Sequence, residues 1–183
     1  KVYRFAQDNQ IAWHAGKSCW GKYKNLNKNS IGIELVNKGH QFGYTNFKKN
    51  QLLSLIKICK ILVKKYKIKK RNIIGHSDIA PLRKIDPGEK FPWQELANKK
   101  IGIWHWCKPD LLRKLRKIRI LKKSDKMKFI KNLHKIGYCI PTNDKFFFVK
   151  IVKAFQRHYR KELINGRVDK ECLIIAQNLS KKL

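Results

Sequence analysis

The sequence has few acidic residues and lacks the patterns that mark membrane spans, disulfide frameworks and thiolate metal sites. It contains 12 Asp and Glu against 44 Lys and Arg, which gives a formal net charge of +32. The chain contains no run of about 18 apolar residues, which is the length that a helix needs to cross a bilayer. The five cysteines are odd in number, far apart and without a CxxC pair, so we expect small buried side chains or isolated thiols. They are Cys19, Cys59, Cys107, Cys139 and Cys172.

The excess of positive charge predicts attraction to polyanions rather than a particular activity. Most basic residues are lysines spread over the whole chain, whereas nucleic-acid readers usually cluster arginine. The abundance of Lys, Ile and Asn is also typical of an AT-rich genome. No nucleic-acid reader motif is present, so specific nucleic-acid binding is not expected, and a non-specific nucleic-acid binder is the weakest alternative.

The first half of the chain predicts an α/β domain, with a mixed β-sheet flanked by helices. Residues 1–6 and 30–36 are rich in β-branched and aromatic residues, which favours strands. Residues 50–67 repeat apolar side chains every three or four positions opposite lysines, which indicates an amphipathic helix. Residues 72–76 (NIIGH) predict a buried strand that leads into a polar loop over 77–90.

The second half predicts a small three-helix domain that follows a basic connection. Helical spacing recurs over 124–136, 145–160 and 169–179, with Ser124 and Asp169 as expected N-caps. We therefore divide the chain into an α/β domain at 1–107, a basic linker or helix at 108–123 and the three-helix domain at 124–183.

Two possible metal ligands lie in the loop after the predicted strand 72–76. His76 and Asp86 are ten positions apart, and a proline-containing loop between them can fold back. Imidazole nitrogen and carboxylate oxygen both suit zinc. By themselves the two residues fit a hydrogen-bonded polar loop equally well, so the surrounding motifs decide the interpretation.

Those motifs resemble the type 2 N-acetylmuramoyl-L-alanine amidase family, which shares its fold with the peptidoglycan recognition proteins. AWHAGKS occupies 12–18, NSIGIELVN occupies 29–37, and GHSDIAPLRKIDPG at 75–88 is followed by FPW at 91–93. The resemblance covers roughly residues 1–106. It implies hydrolysis of the amide between N-acetylmuramic acid and L-alanine in peptidoglycan or muropeptides.

By this resemblance His76 and Asp86 match two of three protein ligands of a Zn²⁺ cofactor. Glu34 matches the catalytic glutamate, which takes a proton from the attacking water. Lys84 matches a lysine near the scissile carbonyl, where its charge would stabilise the oxyanion. Without the motif, Lys84 is one more surface lysine and Glu34 an exposed strand carboxylate.

Two further features of the resemblance concern the substrate and the missing ligand. Trp13 and His14 look like part of the substrate groove, although a packed Trp beside a surface His is an alternative. In the family the first zinc ligand is a His upstream of AWHAG, which would precede Lys1, so we expect an N-terminally truncated domain. His14 and His40 are the nearby substitutes.

Residues 153–173 (KAFQRHYRKELINGRVDKECL) resemble the second half of a three-helix peptidoglycan-binding domain. Such a domain would raise the effective concentration of the enzyme at its polymer. We expect a monomer in the bacterial cell envelope, in the periplasm or associated with the outer membrane. A non-catalytic peptidoglycan-binding fragment or recognition protein is the main alternative.

Overall fold

The computed structural model describes residues 1–120, 122–140, 145–181 and 183. A two-stranded antiparallel hairpin pairs Cys19 with Lys24 and Trp20 with Tyr23. Its strands are β1 (Cys19–Trp20) and β2 (Tyr23–Lys24), and 3-10 turns span Leu26–Lys28, His40–Phe42 and Lys70–Asn72. The helices in these ranges are α1 (Lys49–Tyr66), α2 (His76–Ile79), α3 (Trp93–Asn98), α4 (Pro109–Arg116), α5 (Lys123–Ile136), α6 (Lys145–Tyr159) and α7 (Lys170–Ser180).

The combination of helices with a small sheet confirms the α/β class, but the predicted strands are wrong. Within the described residues, 1–6 and 30–36 form no strand, and Val36 is 92% exposed. His76 begins α2 instead of ending a strand over 72–76. A β-branched sequence becomes a strand only where a neighbour accepts and donates its backbone hydrogen bonds, and no described segment pairs with these.

Helix α1 confirms the prediction made from its apolar spacing. Leu55 and Cys59 are buried on one face of the helix, while the lysines of the opposite face are exposed. The loop 80–90 carries Asp86 and is called the ligand loop below. The buried face of α1 forms a cluster with four residues that follow this loop, namely Phe91, Trp93, Leu96 and Ile101. Its packing therefore supports the segment that leads away from the loop.

The three predicted C-terminal helices are also confirmed, with one correction at a helix start. Ser124 lies inside α5, whose N-cap is Lys122, so its predicted capping role is wrong. Asp169 does cap α7, and its Oδ1 accepts the backbone N–H of Cys172 at 2.9 Å. No helix in the described ranges is both long and apolar enough to cross a bilayer.

One hydrophobic core joins the two halves of the chain. Phe129, Phe155 and Ile175 from the C-terminal helices share a buried cluster with Ala15 and Trp20. Helix α2 also contacts α6 directly. The boundaries at 107 and 123 remain predictions, but the helices after them pack against the segment that carries AWHAGKS.

The two halves are also joined covalently by a disulfide, so the prediction of unpaired cysteines was wrong for this pair. Cys19 and Cys139 are bonded, with their Cα atoms 5.9 Å apart and 120 positions apart in sequence. Beside the bond, the N–H of Gly21 donates to the carbonyl of Gly137 at 2.6 Å. Cys59 and Cys172 are buried, as expected. A pairing over this distance leaves no local pattern in the sequence.

Candidate active site

Helix α2 and the loop that follows it bring His76 and Asp86 together. The N–H of Ser77 donates to the carbonyl of Asp86 at 2.9 Å, which closes the loop against the start of the helix. As a result, His76 Nδ1 lies 3.1 Å from Asp86 Oδ2. The side chains are 16% and 55% exposed, so the pair is accessible from solvent.

The contacts of the His76 ring are compatible with a cation between the two side chains. Its Nε2 lies 3.2 Å from the carbonyl oxygen of Ala15, which only accepts, so we infer that Nε2 carries a proton. In a neutral ring Nδ1 would then direct a bare lone pair at the Asp86 carboxylate. A metal ion at Nδ1 would remove this repulsion, and a ligating His commonly donates its other N–H to a backbone carbonyl.

The Asp86 carboxyl is ionised at neutral pH, as a metal ligand requires. Burial acts to raise its pKa, but the hydrogen bond and charge of His76, with a smaller contribution from Lys84, outweigh burial. The net effect holds the pKa of Asp86 below its ordinary value. The carboxylate is thus available to any cation at Nδ1 of His76.

The pair fits zinc as two donors, without a third in the described part of the chain. Ligand atoms about 2.0–2.2 Å from a tetrahedral zinc ion lie roughly 3.3–3.5 Å apart, close to the separation of this pair. No group of three His, Cys, Asp or Glu suited to a metal occurs in those residues. His14 contacts Ala12 O at 2.9 Å and Ser30 Oγ at 2.8 Å, whereas His40 contacts Glu89 at 3.1 Å. Both suggested substitutes are therefore engaged elsewhere.

All six predicted site residues line one cleft of about 1540 Å³. Glu34 is exposed on the extended segment 30–36, and Lys84 is half-buried on the ligand loop. Trp13 is 89% exposed, which excludes the alternative of a packed Trp. His14 is half-buried against Gly32, where an added Cβ would lie 2.5 Å from its ring. The structure thus places the residues on a common surface, and their individual roles remain predictions.

Two residues that the sequence interpretation overlooked hold the ligand loop in place. The guanidinium of Arg83 donates to the carbonyls of Ala15 and Lys17 at 2.5 and 2.9 Å. The hydroxyl of Tyr44 donates to the carbonyl of Pro87 at 2.6 Å. Arg83 lies inside the GHSDIAPLRKIDPG motif, and this position could have indicated a role at the site. Tyr44 lies outside the motifs, and nothing in the sequence indicated its role.

A third overlooked residue, Asp78, forms a buried network just behind His76. Asp78 Oδ1 accepts the hydroxyl of Tyr138 at 2.6 Å, and Oδ2 lies 2.7 Å from His158 Nδ1. Oδ2 also accepts the N–H of Gly75 at 2.8 Å. Tyr138 and His158 are 60 and 80 positions away in sequence, so local patterns could not reveal the contacts.

Comparison with known proteins agrees with this fold. A family model described as N-acetylmuramoyl-L-alanine amidase matches residues 1–89. N-acetylmuramoyl-L-alanine amidase AmiD of Escherichia coli K12 is 36% identical over 191 residues, which cover 100% of this chain and 68% of AmiD. The 1,6-anhydro-N-acetylmuramyl-L-alanine amidase AmpD of Haemophilus influenzae is 39% identical over 95 residues, or 51% of this chain and 50% of AmpD.

Solved structures show the same likeness over the full chain. The complex of E. coli AmiD with anhydro-N-acetylmuramic acid-L-Ala-D-γ-Glu-L-Lys matches with a TM-score of 0.85 at 33% identity, covering 100% of this chain and 73% of AmiD. AmpDh3 of Pseudomonas aeruginosa matches with a TM-score of 0.85 at 32% identity and the same coverage. Fold and motifs together define an amidase. The chain belongs to the N-acetylmuramoyl-L-alanine amidase family.

Proposed function

We propose that this chain hydrolyses the amide bond between N-acetylmuramic acid and L-alanine in peptidoglycan or in muropeptides. The proposal rests on one observation. His76 Nδ1 lies 3.1 Å from Asp86 Oδ2, in a cleft that Glu34 and Lys84 also line. The muropeptide bound to the related AmiD supports a substrate of this class. Intact peptidoglycan and soluble fragments are both within the proposal.

Zinc is the cofactor we propose, with His76 Nδ1 and Asp86 Oδ2 as two of its ligands. When bound, zinc would lower the pKa of a water molecule and polarise the scissile carbonyl. Catalytic zinc sites normally have three protein ligands. We therefore expect the described residues alone to bind zinc more weakly than a complete site.

The remaining roles follow from the charge and position of the chain's own side chains. Glu34 is exposed to the cleft and would accept a proton from the attacking water, then deliver it to the amine of the departing L-alanine. Lys84 would place its ammonium near the oxygen that becomes negative in the tetrahedral intermediate. Trp13 and His14 would line the binding surface for the sugar or stem peptide.

The C-terminal helices and the disulfide support a location at the cell wall. We propose that residues 124–183 act as a peptidoglycan-binding module that keeps the amidase near its polymer. Disulfides persist in oxidising compartments, so the Cys19–Cys139 bond favours the periplasm or another part of the bacterial envelope. We expect the chain to act as a monomer.

The test is mass spectrometry of the products that the chain releases from muropeptides and sacculi with added zinc. We expect free stem peptides from the parent and a loss of about 10²–10⁴ in rate for Glu34→Gln, because a positioned general base contributes about that factor. Glu95→Gln, an exposed glutamate on α3, is the matched control and should retain the parent rate. Binding to sacculi without release of stem peptides by the parent would favour the non-catalytic alternative instead.

A further inference from the structure

Asp78 is held by two side chains that come from the C-terminal part of the chain. Tyr138 follows α5 and His158 lies in α6, yet both contact the carboxylate of a residue in α2. Asp78, Tyr138 and His158 are 2%, 1% and 3% exposed. In such a dry environment each hydrogen bond to a carboxylate is stronger than at the surface, and its loss leaves an uncompensated polar group.

The His158 ring has little freedom to move away from Asp78. It is stacked between Trp93 and Tyr159, with ring centroids 3.9 and 4.0 Å from its own and interplanar angles of 15° on both sides. Trp93 belongs to the core cluster that α1 supports, whereas Tyr159 belongs to the C-terminal core. His158 is thus fixed from both halves of the molecule.

Asp78 in turn determines where α2 begins. Its Oδ2 accepts the N–H of Gly75, the residue immediately before His76, and the four-residue helix carries both His76 and Asp78. A shift of Asp78 therefore moves the backbone on which His76 is mounted. Since His76 must meet both Ala15 O and Asp86 Oδ2, a small rotation of α2 disrupts the candidate metal pair.

We propose that Tyr138 and His158 are positioning residues of the amidase site, through which the C-terminal helices orient His76. The C-terminal part then has a second role besides attachment to the wall, because it completes the support of the metal pair. Groups hydrogen-bonded directly to a metal ligand typically change metal affinity or activity by about 10- to 100-fold. Tyr138 and His158 act one contact further from His76, through Asp78, so we expect effects at the lower end of this range. This inference rests on the proposed zinc amidase function only for its effect on zinc and turnover.

The experiment compares four variants by two measurements. Tyr138→Phe removes only a hydroxyl, and His158→Leu removes the donor, whereas His158→Asn keeps an N–H near the position of Nδ1. Asp169→Asn is the matched control, because it alters a buried carboxylate of the same C-terminal part that does not contact α2. The measurements are zinc affinity by competition with a chelator and hydrogen exchange of the Gly75 amide.

We expect Tyr138→Phe and His158→Leu to weaken zinc binding about tenfold and to speed exchange at Gly75 about tenfold. His158→Asn should recover most of both losses, and Asp169→Asn should resemble the parent. Parent-like values in Tyr138→Phe and His158→Leu would overturn the proposal, as would equal changes in Asp169→Asn.

Hydrogen exchange separates this proposal from the proposed function. If the parent binds no zinc and releases no stem peptide, the amidase proposal fails, but faster exchange at Gly75 in the two variants still supports the positioning role. Conversely, an active parent whose Gly75 exchange is unchanged by both variants retains the amidase proposal and rejects the positioning role.

Discussion

His76 Nδ1 and Asp86 Oδ2 lie close together, and both atoms can offer a lone pair. The pair therefore favours a positively charged partner. In the tautomer inferred from the contact with the Ala15 carbonyl, His76 Nε2 carries the proton and Nδ1 faces the carboxylate. Imidazole and carboxylate ligands bind a metal ion only in their deprotonated forms, so metal binding by this pair should weaken as the pH falls.

A first prediction concerns stability as a function of pH in the chain without metal. The pKa of Asp86 is lowered in the folded state, so its ionised form stabilises folding above the ordinary value of 3.8. This contribution is lost as the pH falls through the lowered pKa. We expect Asp86→Asn to reduce the free energy of unfolding near pH 6 and to have progressively less effect below pH 3.8.

Urea denaturation of parent and variant in the presence of a chelator, from pH 6 down to pH 3, measures this difference. Asp110→Asn is a suitable control, since Asp110 is an aspartate with an 82% exposed side chain on α4, remote from the ligand loop. A stability difference between parent and Asp86→Asn that stays constant over the whole range would contradict the assigned ionisation.

At the scale of elements, the helices were predictable because their signal is local. In α1, α5, α6 and α7 the apolar residues recur at helical spacing within the segment itself, and this spacing predicts that one face is buried. Strands depend on a partner elsewhere in the chain, and the β-branched segment 30–36 has none among the described residues. The same local pattern therefore failed where pairing decides the structure.

The candidate site divides in the same way. His76 and Asp86 stand in one continuous motif, so their proximity could be predicted from a short loop that folds back. Tyr138 and His158 reach Asp78 from the far end of the chain, and no spacing relates them to the motif. The sequence thus indicates the chemistry of the site, whereas the supports of that chemistry depend on the tertiary fold.

A second prediction concerns the connection between the ligand loop and the AWHAGKS segment. Arg83 donates to the carbonyls of Ala15 and Lys17, and one of these carbonyls also accepts from His76. We expect Arg83→Met, which keeps the length of the side chain, to lower the unfolding free energy by about 1–2 kcal/mol. Hydrogen bonds from charged groups contribute about 1.5–3 kcal/mol, and the exposure of Arg83 to solvent reduces that contribution. Zinc affinity should fall as well, since Ala15 is less well fixed.

Chemical denaturation and chelator competition test the Arg83 variant. Arg113→Met provides the control, because Arg113 has a 68% exposed side chain on α4 and pairs with Asp110 at the surface. Surface ion pairs usually contribute less than about 1 kcal/mol, so this control should remain near the parent. Equal losses in the two variants would show that Arg83 is no more than a surface arginine.

At the scale of the whole molecule, three kinds of contact make the two halves interdependent. The shared core contains Trp20 and Phe155, and the Asp78 network links α2 to α6. The Cys19–Cys139 bond links the two halves covalently. Within the C-terminal part, α4 is tied to α7 because Arg116 donates to both oxygens of buried Glu171 at 2.6 and 2.8 Å. Loss of the shared core, the Asp78 network or the disulfide should therefore affect both halves.

A third prediction follows from the length of chain that the disulfide encloses. The bond closes a loop of 120 positions, and a crosslink over a loop of roughly this length contributes about 3–5 kcal/mol by restricting the unfolded chain. We expect Cys139→Ser to lower the free energy of unfolding by about that amount, with a single transition in both proteins because the core is shared.

The control for this prediction is reduction of the parent with a thiol reagent. Reduced parent and Cys139→Ser should show the same denaturation midpoint, and the reagent should leave the variant unchanged. Two separate transitions in the reduced parent, one for each half, would show that the disulfide rather than the shared core couples the halves. A single transition that shifts to lower denaturant on reduction would show that the core alone maintains cooperativity and that the crosslink adds stability to a structure already continuous between its halves.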